Sequence, residues 1–242
     1  ASGSCGSQVH GPAQLRRIRR GEAQAAARIL GAVFHPSLVD DLEILYDLKL
    51  LRRVSAIIRQ VNPGIILTHY PRDYMEDHMN TCRLVVTAAF VRGAPNFRTV
   101  PPQATVDQDV VIYHAMPHGL QDELRQPIRP EALVDVTAVH ATKLAALSQH
   151  RSQHQWLEAS QGMNSYLQTM EDTSQTLGRM SGRFQQAEGW RRHLHLGFSQ
   201  VEKDPLRELL GSKFCPVADL PSDLSLRPTC RPRQSPARRL KP

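Results

Sequence analysis

Two histidines, two aspartates and a glutamate fall close together in Thr68-His69-Tyr70-Pro71-Arg72-Asp73-Tyr74-Met75-Glu76-Asp77-His78-Met79-Asn80. Imidazole and carboxylate are the groups that hold a hydrolytic zinc, which takes about three N or O ligands and keeps one position open for water. The metal lowers the pKa of that water to about 7, and a nearby carboxylate takes its proton as it attacks a carbonyl. His78 is a candidate ligand, and Asp77 beside it a candidate carboxylate to orient a neighbour. Further ligands within the chain would be drawn from His69, Asp73, His35 or His114, whose spacing follows no pattern. His140, His150, His154, His193 and His195 accompany Gln, Arg and Lys on or near helical patterns and read as surface or capping residues.

The position of the stretch makes it a place for chemistry. It follows the strand-like run Gly64-Ile65-Ile66-Leu67 and leads into a helical pattern, about 78 to 92, with Cys82, Val85, Val86 and Ala89 on one face. In open α/β sheets, sites assemble at the carboxyl ends of strands, where loops present side chains without breaking the core. Upstream, residues 14 to 30 predict an amphipathic helix through Leu15, Ile18, Ala25, Ala26, Ile29 and Leu30. A second helix carries Ile44, Leu48, Leu51, Val54, Ile58 and Val61, and Asn62-Pro63 ends it. Downstream, Asp109 to Ala115 and Leu133 to Val136 read as strands. Residues 138 to 150, 153 to 171 and 185 to 193 read as helices. This alternation predicts an α/β fold, a mostly parallel sheet with helices on both faces.

Composition narrows the function. No apolar run approaches the roughly 18 residues that a membrane span needs. The net charge of +7 suggests nucleic acid, but the six basic residues between Arg227 and Pro242 leave the rest of the chain near +1. That basic, proline-rich end cannot bury enough apolar surface to fold. The expected division is therefore a domain over 1–212 and a disordered tail over 213–242, with a polyanion-binding arm as the competing reading of the tail. Cys5, Cys82, Cys215 and Cys230 show no paired spacing, which favours a reducing, cytoplasmic setting over a disulfide framework.

Several segments, in order, resemble the LmbE/PIG-L family of zinc-dependent de-N-acetylases. Arg19-Arg20-Gly21-Glu22, Ala26-Ala27 and Leu30-Gly31 are similar to its R-x-x-E-x-x-x-A-A-x-x-L-G helix. Ile58-Arg59-Gln60-Val61-Asn62-Pro63 matches its I-R-x-x-x-P, and Met75-Glu76-Asp77-His78 stands where the family has an H-P-D-H type motif. Lys143-Leu144-Ala145-Ala146-Leu147 with His150-Arg151-Ser152-Gln153 looks like K-x-x-A-x-x-x-H-x-S-Q, and Ala187-Glu188-Gly189-Trp190-Arg191 like A-E-x-F-R. The likeness spans about residues 14 to 200.

The resemblance implies a Rossmann-like fold and a hydrolase that removes acetyl groups from the nitrogen of amino sugars or sugar conjugates by zinc-activated water. It makes His78 a zinc ligand and Asp77 the catalytic-site carboxylate, and puts Arg19, Asp73 and Tyr74 on the substrate side. Two departures stand out. The first histidine of the motif is Met75, whose thioether cannot donate to an oxyanion, so His69, Tyr74 or His114 would replace it. Nothing like the family's A-H-P-D-D precedes Arg19. His35-Pro36-Ser37-Leu38-Val39-Asp40-Asp41 comes after the R-x-x-E helix and reads as a connection, with Asp40 or Asp41 near a helix N-cap. The expectation is a chain lacking its first βα unit, with the general base and the other zinc ligands upstream of residue 1. A catalytically inactive carbohydrate-binding protein on the same fold is the alternative.

Overall fold

The structure is a computed structural model that describes residues 1–161 and 166–220. The expected tail lies mostly outside the described residues. No described helix is long and apolar enough to cross a membrane.

The elements follow the physical signals in the sequence. Helix α1 (Pro12–Ile29) opens on a proline, where no backbone N–H is needed, and buries Leu15 and Ala26. Helix α2 (Leu48–Val61) starts at Asp47, whose side chain accepts from the Leu50 N–H at 2.7 Å. It ends at Asn62 in the left-handed region, before Pro63. Strand β1 (Ile65–Thr68) then leads through the 69–75 loop into α3 (Glu76–Phe90), with Glu76 and Asp77 in its positive first turn. Arg59 of α2 is buried and donates to the carbonyls of Val91, Arg92, Ala94 and Gln103, so one guanidinium closes the far end of α3.

Strand β2 (Val111–Ala115) lies parallel to β1, with Thr68 opposite His114, so both strands finish side by side. After β3 (Ala132–Asp135) come α4 (His140–Leu147), α5 (Arg151–Gln161) and α6 (Tyr166–Ser181). Strand β4 (Ala187–Arg192), helix α7 (Pro205–Leu210) and strand β5 (Phe214–Pro216) complete the described chain. One core lies under β1, β2, α2 and α3, around Ile58, Ile66, Leu84 and Ile112. Smaller ones sit on the faces of β3, β4 and β5.

The α/β class holds, but the mostly parallel sheet does not. The strand order is β1-β2-β4-β3-β5, and among the described strands β1–β2 is the one parallel pairing while the other three pairings are antiparallel. A single crossover helix returns a chain to the opposite end of a sheet and makes its strands parallel. Here the α4–α6 excursion delivers the chain back to the end it left, pairing Ala187 of β4 with Asp135 of β3. The expected helix over 185–193 is this strand. Gly189 disfavours a helix, and Ala187 and Gly189 alternate with Glu188 and Trp190 across a central strand paired on both sides. Gly178 permits the close turn into it, because a Cβ there would lie 2.5 Å from the Gln185 carbonyl oxygen. Strand β5 carries buried Phe214 and Cys215, so ordered packing continues past residue 212.

Candidate active site

The loop between β1 and α3 places the imidazole of His78 on the first turn of α3 over the carboxyl end of β1. Its Nδ1 lies 3.0 Å from Asp73 Oδ1, and that same oxygen accepts from the Met75 N–H at 3.0 Å. A carboxylate only accepts, so the proton of neutral His78 resides on Nδ1, leaving the Nε2 lone pair for chemistry. Asp73 is almost fully buried, whereas the His78 side chain keeps about a third of its exposure. The His69 ring stacks on His78 at 4.4 Å with an interplanar angle of 3°, and the Tyr74 ring meets His78 edge-on at 5.8 Å. Burial, then the neighbouring His78, pushes the His69 pKa down. Burial pushes the Tyr74 pKa up, so its phenol stays a proton donor at neutral pH.

Asp77 has a different placement from the one expected. It is buried, and its Oδ2 accepts from the Leu42 N–H at 2.9 Å, holding a loop in which Leu42 takes a φ of 64°. The carboxylate bonded to His78 is Asp73. Successive residues on a helix point about 100° apart, so Asp77 cannot face its neighbour's ring. Asp40 and Asp41 do not cap a helix either. Asp41 accepts from the Gly3 and Cys5 N–H groups at 2.7 and 3.0 Å, and Asp40 pairs with Ser2 and Arg16, so the two carboxylates anchor the N-terminal segment.

That segment forms a wall of a cleft of about 490 Å³ that contains His69, Tyr74, Met75, Asp77, His78 and Arg19. The expected residues other than Asp73 thus border one cavity, and Asp73 sits behind His78. Arg19 donates from Nη2 to the Gly6 carbonyl at 2.8 Å, and burial lowers its pKa while Asp41 and Glu22 oppose the shift. Glu22 makes no bond to Arg19 but accepts from the Ser152 N–H and Oγ at 2.8 and 2.7 Å. The R-x-x-E and H-x-S-Q-like segments are therefore tied to each other, and the bond sets α5 over the cleft. Gln153 and Trp156 of α5 complete the lining. Gln153 belongs to the H-x-S-Q-like segment, whereas Trp156 had no signal in the sequence.

Beneath the cleft lies a closed cluster. His114 is 5% exposed, and its Nδ1 is 2.9 Å from the His69 carbonyl oxygen, which requires the proton on Nδ1. Its Nε2 then accepts from His193 Nδ1 at 2.9 Å. Burial lowers the pKa of both imidazoles and pushes the Cys82 thiol, 3.5 Å from His114 Nδ1, up to about 11.

These residues do not by themselves fit a zinc ion. No three His, Cys, Asp or Glu among the described residues are grouped to hold a metal. The stacked rings of His69 and His78 explain part of this. Imidazole lone pairs lie in the ring plane, so parallel rings do not direct them to a common point.

Residues 1–89, which include the His78 stretch, match the family model described as PIG-L: GlcNAc-PI de-N-acetylase. The chain is 31% identical over 146 residues to a 4-oxalmesaconate hydratase of Pseudomonas putida, covering 60% of this chain and 54% of that protein. It is 29% identical over 144 residues to a diacetylchitobiose deacetylase of Thermococcus kodakarensis, covering 57% and 50%. The chain therefore spans about half the length of these curated relatives. Among solved structures, a 4-carboxy-2-hydroxymuconate hydratase from Pseudomonas putida KT2440 aligns with TM-score 0.58 and 26% identity, covering 82% of this chain and 78% of that one. The N,N'-diacetylchitobiose deacetylase of Pyrococcus horikoshii aligns with TM-score 0.64 at 22% identity, covering 85% and 74%, a likeness of fold.

Proposed function

We propose that this chain carries the His78 side of a PIG-L-type hydrolase that removes an acyl group from the nitrogen of an amino sugar or sugar conjugate. The observation that supports it is an imidazole whose Nδ1 is fixed by a buried carboxylate and whose Nε2 is left available at a cleft. Zinc is the metal the resemblance implies. His78 is the imidazole this chain offers it, and further ligands would come from outside the described residues.

The roles of the chain's own groups follow from their chemistry. Asp73 holds the His78 ring. Tyr74, protonated at neutral pH, donates to the oxygen that gains charge as water adds to the acyl carbonyl, the task for which Met75 has no proton. Arg19 lines the cleft and attracts a polar, electron-rich substrate. Asp77 acts indirectly, keeping the Leu42 loop in place.

A hydratase is the second reading. The relative at 31% identity is named as one, and Met75 removes a side chain that the deacetylase motif supplies. Both reactions add water to an electron-poor carbon. Acetate release from N-acetylglucosamine derivatives and hydration of 4-oxalmesaconate, measured with the same zinc-supplemented protein, separate them. Acetate release that is lost in His78→Ala supports the deacetylase. Hydration without acetate release replaces it, and neither reaction leaves a binding protein.

A further inference from the structure

The cleft at His78 adjoins a second cavity. That neighbour, about 510 Å³, is walled by Met116, Leu147, Leu157, Met170 and Leu177, and it shares Tyr74 and Gln153 with the first. Helix α5 spans both: Gln153 lines the two, Trp156 only the polar one and Leu157 only the apolar one. The spacing of these three residues puts them on one helical face. Tyr74 stands at the junction, with its ring edge-on to His78 at 5.8 Å and at 61° to His118 at 6.0 Å. Together the cavities reach the upper end of the roughly 300–1,000 Å³ of small-molecule sites.

The two compartments differ in what they can satisfy. The first offers imidazole, carboxylate and guanidinium groups. The second is lined mainly by thioether and alkyl groups, with polar side chains among them such as Ser174, Thr173 and Lys143, the last paired to Glu188 at 2.7 Å. A small, wholly polar substrate such as an unsubstituted N-acetyl sugar would fill the first and leave the second to water. An apolar substituent releases that water.

We infer that the site takes a two-part ligand, with its reacting amide at His78 and an alkyl or aryl substituent of several carbons in the Leu147–Leu157–Met170 compartment. This rests on the deacetylase reading. The substituent comes either from the acyl group or from the aglycone, and the two sources are separable.

One series of ligands lengthens the acyl chain of glucosamine from N-acetyl to N-octanoyl. The other keeps N-acetyl and lengthens an alkyl glycoside. Calorimetric binding and amide hydrolysis are measured for each on the whole protein. The expected result is affinity rising about fourfold per methylene over several carbons in one series only. In Leu157→Asp, which places a charge in the compartment, and in Thr173→Trp, which fills it, the ratio between long and short ligands falls toward one. Circular dichroism confirms the fold of each variant. Affinity independent of length in both series overturns the inference, as does a length dependence that survives in both folded variants. Binding that rises with length without hydrolysis supports the inference and removes the deacetylase reading. Hydrolysis with no length dependence does the reverse.

Discussion

Two pairs of histidines sit back to back at the ends of β1 and β2, and their nitrogens are used in opposite ways. His114 has both nitrogens engaged inside the protein, one with the His69 carbonyl and the other with His193. His78 has one nitrogen bound to Asp73 and shares a cleft with Tyr74 and Arg19. Burial alone would pick His114 as the more unusual group, since it is the more deeply enclosed. A free lone pair at a cavity picks His78. Reactivity needs an unsatisfied atom that a ligand can reach, and hydrogen bonding to the protein removes it.

The largest effect expected from breaking this contrast is at His78. His78→Ala should lower turnover of the deacylation substrate by about a hundredfold or more, the scale of a lost acid–base or ligand group, and leave the thermal midpoint nearly unchanged. Next is Asp73→Ala, which frees the His78 ring and should cost about 10–100-fold in rate, as loss of such orienting partners does. Asp73→Asn keeps an acceptor at Oδ1 and should recover part of the loss. A steady-state rate for each variant checks both.

His114→Leu tests the closed pair. It leaves the His69 carbonyl and His193 without their partner, at a cost of about 1–3 kcal/mol, or several degrees in thermal midpoint for a domain of this size. The pH dependence has a definite sign. The folded pKa values of His114 and His193 are lowered, so the unfolded chain binds protons first on acidification. Their contribution to stability is complete above the unfolded value of about 6.5 and declines as pH falls below it toward the folded pKa values. Thermal midpoints between pH 8 and 5 should fall with a shallower slope in His114→Leu. The smallest effect expected is at Asp77→Asn, which keeps an acceptor for Leu42 and should change stability by less than about 1 kcal/mol.

Much of the site's location was legible in the sequence, because a strand followed by a polar loop and a helix N-terminus needs only local signals. His69, Tyr74, Asp77 and His78 of that stretch border one cleft with Arg19. The partner of His78 was misjudged because adjacency in sequence suggested Asp77, while helix geometry sends neighbours apart and a loop turn brings Asp73 back. Asp40 and Asp41 looked like capping residues and instead anchor residues 2–5, a contact across more than thirty positions that has no local signature. The sheet was misread for the same reason. Strand direction depends on where three helices return the chain, and the 187–192 segment is a strand because it is paired on both sides.

The most direct test of the difference between the two clusters is a long-range proton–nitrogen NMR spectrum of the histidine side chains at neutral pH, with and without an N-acylated amino sugar. The account predicts that His78 carries a proton on Nδ1, facing Asp73, and that its Nε2 resonance moves on addition of the ligand while those of His114 stay in place. A His78 protonated on Nε2 alone, or a ligand response confined to His114, would contradict it.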